Sequence, residues 1–489
     1  NGGTVNINST INGGTLNALN GGVLNTNGGA ILNGVTISSG TTANVLDTTY
    51  LQGTITNQGN FALPGTYLAV LGGDVTLKGG GTVSLSLDAF FNQASDGLTL
   101  HNVDNTIQGT GQLGQNGLAI DNQAAGKIVA NVNGGMLFVN GGGTLTNAGT
   151  LKATNGGTLA VTAPLSAADF AGHTLQGGGT YVINGTSAVS TIQINSFGTG
   201  GSAVQTLGSG TTLTLNGTNA NVHFIDGSGL DALNLSANNG NLNLEGGYSL
   251  TAAPGSTFTN TGDVLVDASS ALTVSGGNAY LQTGGETQVD GTISADLVDI
   301  QGGVLAGGNG TTAGQITGTV NNDCGSGTCG TVRAGDNLNT PIDPPGNLSI
   351  GGDYIHNSGA TLIVDIAGAD PAQTSQLNVA GNVQLLGAND FLTISLLNSY
   401  LPQTTGKFLF LTYAGTLNAQ DFSLTDPNVD PNGVFKVDYA TPGDIFLDFT
   451  ATNSSVTPEP SFLLPVFGLL GLVVGYRKMR QNRARAGAE

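Results

Sequence analysis

Tryptophan is absent from the 489 residues, cysteine and methionine occur twice each, and 11 lysines and arginines face 31 aspartates and glutamates. Each shortage excludes something. So few cations cannot neutralise a run of phosphates, which removes sequence-independent nucleic-acid binding. Two cysteines fall short of the four ligands of a structural zinc site. Their placement in NNDCGSGTCG fits a local disulfide between Cys324 and Cys329 in an oxidising compartment, the alternative being two free thiols in a surface loop. Without tryptophan the preferred platform for sugar stacking is missing, and the ten tyrosines show no stripe in their spacing. Charged residues make up only 9% of the chain while 38% is hydrophobic, so it is not a charge-swollen disordered polymer. The 81 glycines follow no three-residue period, so it is not collagen.

What is present is a short alternating run of Thr, Val, Leu, Ile and Asn, broken by Gly-Gly or Asn-Gly. GGTLNALNGGVLNTNGGAILNGVTI from Gly13 and GGDVTLKGGGTVSLSL from Gly72 show it well. Alternation over a few residues predicts strands of three to five residues, and the Gly and Asn breaks accept the positive φ of sharp turns. No helical period survives before residue 450. The fold class is therefore all-β, and many short rungs of small aliphatics fit a right-handed parallel β-helix better than a sandwich with longer strands and large aromatics. At ~20 to 25 residues per coil, the chain is expected to form roughly 18 to 22 coils, a rod of about 90 to 105 Å.

The blocks GKIVA, GTLTNAGTLKA and GGTLAV between Lys127 and Val161 resemble the repeats of filamentous-haemagglutinin-like adhesins and autotransporter passengers. GGVLAGGNGTTAGQITGTVNND from Gly302 and the segments after it resemble the C-terminal part of such passengers. This likeness implies the β-helical body, which is expected over residues 1–388. Residues 389–450 carry seven phenylalanines, against eight in the preceding 388 positions, and are expected to form a β cap or small β domain. A linker follows at 451–457.

The last segment, 458–489, holds three features in order: Pro458-Glu459-Pro460, an uncharged apolar run from Phe462 to Tyr476, and a basic tail over 477–485. As a helix the 15-residue run spans ~22 Å, short of a ~30 Å hydrocarbon core, so flanking cations must snorkel. Cations directly after it hold that end on the cytoplasmic side and place the acidic body outside. Residues 1–461 contain 6 Lys/Arg against 30 Asp/Glu, and the remainder contains 5 against Glu489 alone.

This tail resembles the PEP-CTERM sorting signal of Gram-negative bacteria. The resemblance implies recognition through Pro458, Glu459 and Pro460, a transmembrane helix over 462–476, and retention by Arg477, Lys478 and Arg480. It also implies processing by an exosortase, a transient stay in the inner membrane, and release to the cell surface or extracellular matrix beside exopolysaccharide. Pro465 inside the apolar run departs from a plain helix but is tolerable in a first turn. The chain opens within a repeat, NGGTVNINSTINGGTLN, with no Met, as expected of a fragment or processed chain.

Catalysis is weighed because β-helices also carry polysaccharide lyases and hydrolases. The cations before the tail, Lys78, Lys127, Lys152, Arg333, Lys407 and Lys436, are scattered singly, and no NTD, GHG or RIK signature occurs. Asp290, Asp296 and Asp299 read as an exposed acidic face, and His101, His173, His223 and His356 each as a lone surface or turn histidine. The Asp-containing nonapeptide series of Ca²⁺-binding rolls is lacking. The expectation is thus a non-enzymatic structural or adhesin-like protein without cofactor or metal, the alternative being a polysaccharide-degrading or modifying β-helical enzyme.

Overall fold

The computed structural model describes residues 2–452 apart from 19, 141, 196–203, 227–228, 309, 326, 336–344, 388, 419–420 and 426–431. They form a β-solenoid. Nearly all strands pair in parallel with a strand about one coil later, and the described residues contain a single short 3₁₀ turn, Pro371–Gln373. Each coil lays down up to three strands, giving three faces. Eighteen strands succeed one another on the first face, from Thr4–Ile7 to Ser423–Thr425. On the first face coil length varies from 18 residues, where Thr42 faces Asn60, to 32, where Thr180 faces Thr212.

Alternation decides which side chains enter the core. On the first face one inward column runs Ala43, Phe61, Val83, Ile107, Ile128, Leu151, Tyr181, Leu213, Leu242 and Val264, each buried and in register with the next. No side chain in this column is charged, so stacking removes apolar surface from water at every step.

Four strands are much longer than the three to five residues expected. Thr82–Gln93 and Thr106–Gln115 turn from the first face into the second, and Ala279–Val289 and Leu297–Gly307 turn from the third into the first. Here a bulge replaces a loop: pairing slips between Leu85 and Ala89, and between Gln282 and Glu286, so the strand bends while its ladder resumes.

The third-to-first corner is built differently. Asn57, Asn102, Asn122, Asn147, Asn238, Asn260 and Asn322 close third-face strands with their side chains fully buried. Their amides form an internal ladder. Asn102 Nδ2 donates to Asn122 Oδ1 at 2.8 Å, Asn122 Nδ2 to Asn147 Oδ1 at 2.7 Å, and Asn238 Nδ2 to Asn260 Oδ1 at 2.8 Å. The same groups satisfy main-chain carbonyls at the turn: Asn57 donates to Thr82 O at 2.9 Å and Asn322 to Thr361 O at 2.9 Å. Two residues beyond several of these asparagines stands a glycine without positive φ. A Cβ on Gly149 would lie 2.3 Å from Gly126 O, and one on Gly262 would lie 2.1 Å from Gly240 O. These glycines serve close approach of successive coils, whereas Gly134 and Gly210 (φ +68° and +77°) serve turns.

After the last full coils, Gly406–Tyr413, Asp444–Ala451 and Gly433–Asp438 pair antiparallel. Phe408, Phe410, Phe422, Phe435 and Phe449 are buried there, with Phe435 and Phe449 ring centroids 5.0 Å apart.

Replacing Asn122 by Ala leaves the amides of Asn102 and Asn147 short of a partner at a dry corner, an expected loss of about 2 kcal/mol or more. Asn25→Ala, in the exposed ladder Asn6–Asn25–Asn44, should cost well under ~1 kcal/mol by the same principle. Urea denaturation of the two variants reads the difference.

Candidate binding surface

The cations of the body fall into paired and outward groups. Arg333, the one arginine before the tail, is locked to the buried Asp365 carboxylate: Nε donates to Oδ2 at 2.7 Å and Nη2 to Oδ1 at 2.8 Å. Lys407 pairs with Asp438 and Asp448 and lies over the Phe446 ring. Lys78, Lys127 and Lys436 are exposed on outer positions, and Lys152 is half-buried with its pKa lowered, first by burial and then by Lys127.

The acidic trio is not uniformly exposed. Asp296 is, but Asp299 is half-buried and accepts from Gln301 and Asn321 side chains, each at 2.8 Å, and Asp290 accepts from Gln288. Among the described residues no group of three or more His, Cys, Asp or Glu could hold a metal ion. Cys324 and Cys329 are joined as a disulfide, against which the next coil brings Gly359: a Cβ there would lie 2.9 Å from Cys324 Sγ.

Two of the four histidines, His101 and His356, depart from the expectation of lone surface or turn residues, while His223 is half-buried on the strand Ala220–Asp226. His173 does sit in a turn, at φ +67°. His101 pairs with Asp121 across adjacent coils, Nδ1 to Oδ2 2.8 Å. His356 is fully buried in the column of the corner amides, in register with Asn322. Its Nε2 lies 3.0 Å from Ala360 O, which can only accept, so Nε2 carries the proton; Nδ1 then accepts from Tyr354 OH at 2.8 Å. Phe422 packs edge-on to the ring. Desolvation holds the imidazole pKa down at about 4, partly offset by the Ala360 carbonyl.

Aromatic side chains also meet where spacing along the chain gave no hint. Tyr67 and Phe90 are 23 positions apart, yet they are register partners on the outward side of the second face and stack with centroids 4.9 Å apart and planes 7° from parallel. Gln112 and Phe138 follow in the same register on later coils, whereas Tyr50, outward on the preceding coil, pairs with Ala69 and stands two positions away from the file. The result is an outward file of Tyr67, Phe90 and, beyond Gln112, Phe138 on coils four to seven, the outward feature least like the surrounding Thr, Ser and Asn.

Pro458, Glu459, Pro460, the run 462–476, and Arg477, Lys478 and Arg480 lie outside the described residues. Among the described residues no helix is long and apolar enough to cross a membrane. No family model matches the chain, and no curated protein matches it.

The His356 site predicts a pH dependence. Burial lowers the folded pKa to about 4 from the ordinary 6.5, so the unfolded chain takes up the proton first. The stability difference between wild type and His356→Asn should be level above about pH 7. It should shift against the wild type as pH falls from 6.5 towards 4, read as urea midpoints across that range; a difference that stays flat contradicts a buried neutral imidazole.

Proposed function

We propose that this is an exported structural or adhesin-like protein of the bacterial surface or extracellular matrix, with a right-handed β-helical body and a removable C-terminal PEP-CTERM sorting signal. The observation that carries the reading is the order of the tail: Pro458-Glu459-Pro460, the apolar run 462–476, then Arg477, Lys478 and Arg480. The prolines fix φ and withhold backbone donors, which keeps the recognition segment extended and open to a protease at the membrane. The cations orient the span with the body outside. An exosortase then cuts near the motif, and the body joins exopolysaccharide outside the cell.

The body supports a scaffold role in that its strands bury their own ladders coil on coil. A right-handed wind is the expected hand, because connections between parallel strands are right-handed in nearly all proteins.

Replacing Pro458, Glu459 and Pro460 together by Ala should abolish C-terminal trimming, so that protein recovered from the producing cells keeps residues 461–489 by mass spectrometry. Unchanged trimming would refute recognition through this motif. Incubating the purified body with acidic and neutral polysaccharides should release no new reducing ends or unsaturated products; their appearance would favour a polysaccharide-degrading enzyme.

A further inference from the structure

The exposed apolar side chains are not scattered evenly. Of eleven large hydrophobic residues exposed among the described residues, six fall at the first-to-second corner or the entry to the second face: Leu46, Tyr67, Leu87, Val132, Met136 and Val189. They flank the aromatic file along the same edge. Parallel rings in contact lie ~3.5 Å apart, so a centroid separation of 4.9 Å means that Tyr67 and Phe90 are offset by roughly 3 Å, shingled rather than eclipsed. Part of each ring face stays open, and Tyr67 is 41% exposed.

Leu87 is the most telling residue. It is 77% exposed and held at φ +52°, next to Asp88 at φ +61°, in the bulge that delivers Phe90 to the file. Left-handed backbone at two successive non-glycine residues is strained. In a chain with 81 glycines, the strained position carries a leucine that buries little of its side chain, so burial does little to offset the strain.

The charges limit what can bind. Asp47 and Asp88 follow Leu46 and Leu87 and are exposed, and the only lysine or arginine from Gly40 to Gln115 is Lys78, on the third face. A polyanion is repelled, and so is a second copy of this acidic body. The file is one ring wide, whereas a stable protein interface covers about 800 Å² on each partner. We propose that the edge formed by Tyr67, Leu87, Phe90 and Phe138 binds a linear, uncharged polysaccharide. The apolar C–H faces of its sugar rings lie on the shingled aromatic rings, and its hydroxyls donate to Asp47 and Asp88. The rung repeat of ~4.8 Å lets successive sugars meet successive coils. This inference rests on the surface-protein reading and names the partner of that surface.

Affinity electrophoresis of the full chain through gels containing hydroxyethyl cellulose or alginate tests it. Retardation is expected in the neutral glucan, undiminished by added salt, and not in alginate. Tyr67→Ala combined with Phe90→Ala should weaken retention about tenfold. Leu87→Gly should weaken it while leaving the urea midpoint unchanged or raised, because glycine relieves the strain; this variant decides the matter if the double variant misfolds. No retardation in the neutral glucan, stronger retardation in alginate, unchanged retention in the variants, or variants that alter only self-association in sedimentation would each overturn the proposal. Normal C-terminal trimming without glucan retention sinks this inference alone, and retention without trimming sinks only the sorting signal.

Discussion

Where a coil closes its third face with a buried asparagine, as at Asn102, Asn122, Asn147, Asn238 and Asn260, the amide ladder satisfies the turn into the first face without opening the corner to water. Coils closed by Leu77, Leu175, Leu207 or Ile300 make the same turn with an apolar side chain. A turning backbone leaves carbonyls without strand partners, and burying them unpaired is costly. An asparagine side chain carries both a donor and an acceptor, so one residue can satisfy a carbonyl at the turn and link to its counterpart on the next coil. The ladder then imposes a second condition. Successive corners approach so closely that Gly126 and Gly149, and later Gly240 and Gly262, admit no Cβ. Where the column changes chemistry, the environment changes with it: Gln282 donates to Val304 O, and His356 follows Asn322, its proton pinned by a carbonyl.

That construction leaves the outer faces free of structural duty except at ion pairs such as Arg333 with Asp365. Titratable groups with clearly displaced pKa values are largely those that burial displaces: His356 downward, and Tyr181, Tyr280 and Tyr354 upward. Such shifts commonly mark reactive sites; here the four groups sit in the packed interior, Tyr354 and His356 together on one strand and Tyr181 and Tyr280 on two other coils. The outward features of note are instead chemical columns: threonine and asparagine on most of the first face, and one aromatic and aliphatic edge on coils four to seven.

Much of the fold was legible because strand alternation is local. The runs around Val75 to Leu85 and Thr158 to Val161 show their inward positions directly, and eighteen first-face strands fall at the low end of the 18 to 22 coils expected. Register across coils was not legible, because partners lie from 18 to 34 residues apart and coil length drifts. Hence Tyr67 and Phe90 looked unrelated, and His356 looked like a lone turn residue. Asparagine was read as a member of the alternating runs and as a turn residue, although ITNQG, LTNAG and FTNTG carry the interior signal: an Asn after the last alternating pair, with Gly two positions on. The long strands around Ala89 and Gly285 escaped because a bulge preserves alternation on both sides while changing the face.

Native-state hydrogen exchange read by mass spectrometry tests most directly the claim that the amide ladder holds the stack. The third-face strands Thr99–Asn102, Ala119–Asn122 and Leu145–Asn147, with the corners after them, should exchange more slowly than Thr174–Leu175 and Thr206–Leu207, where the same column holds leucine. Equal exchange across both sets, or faster exchange at the asparagine corners, would contradict it.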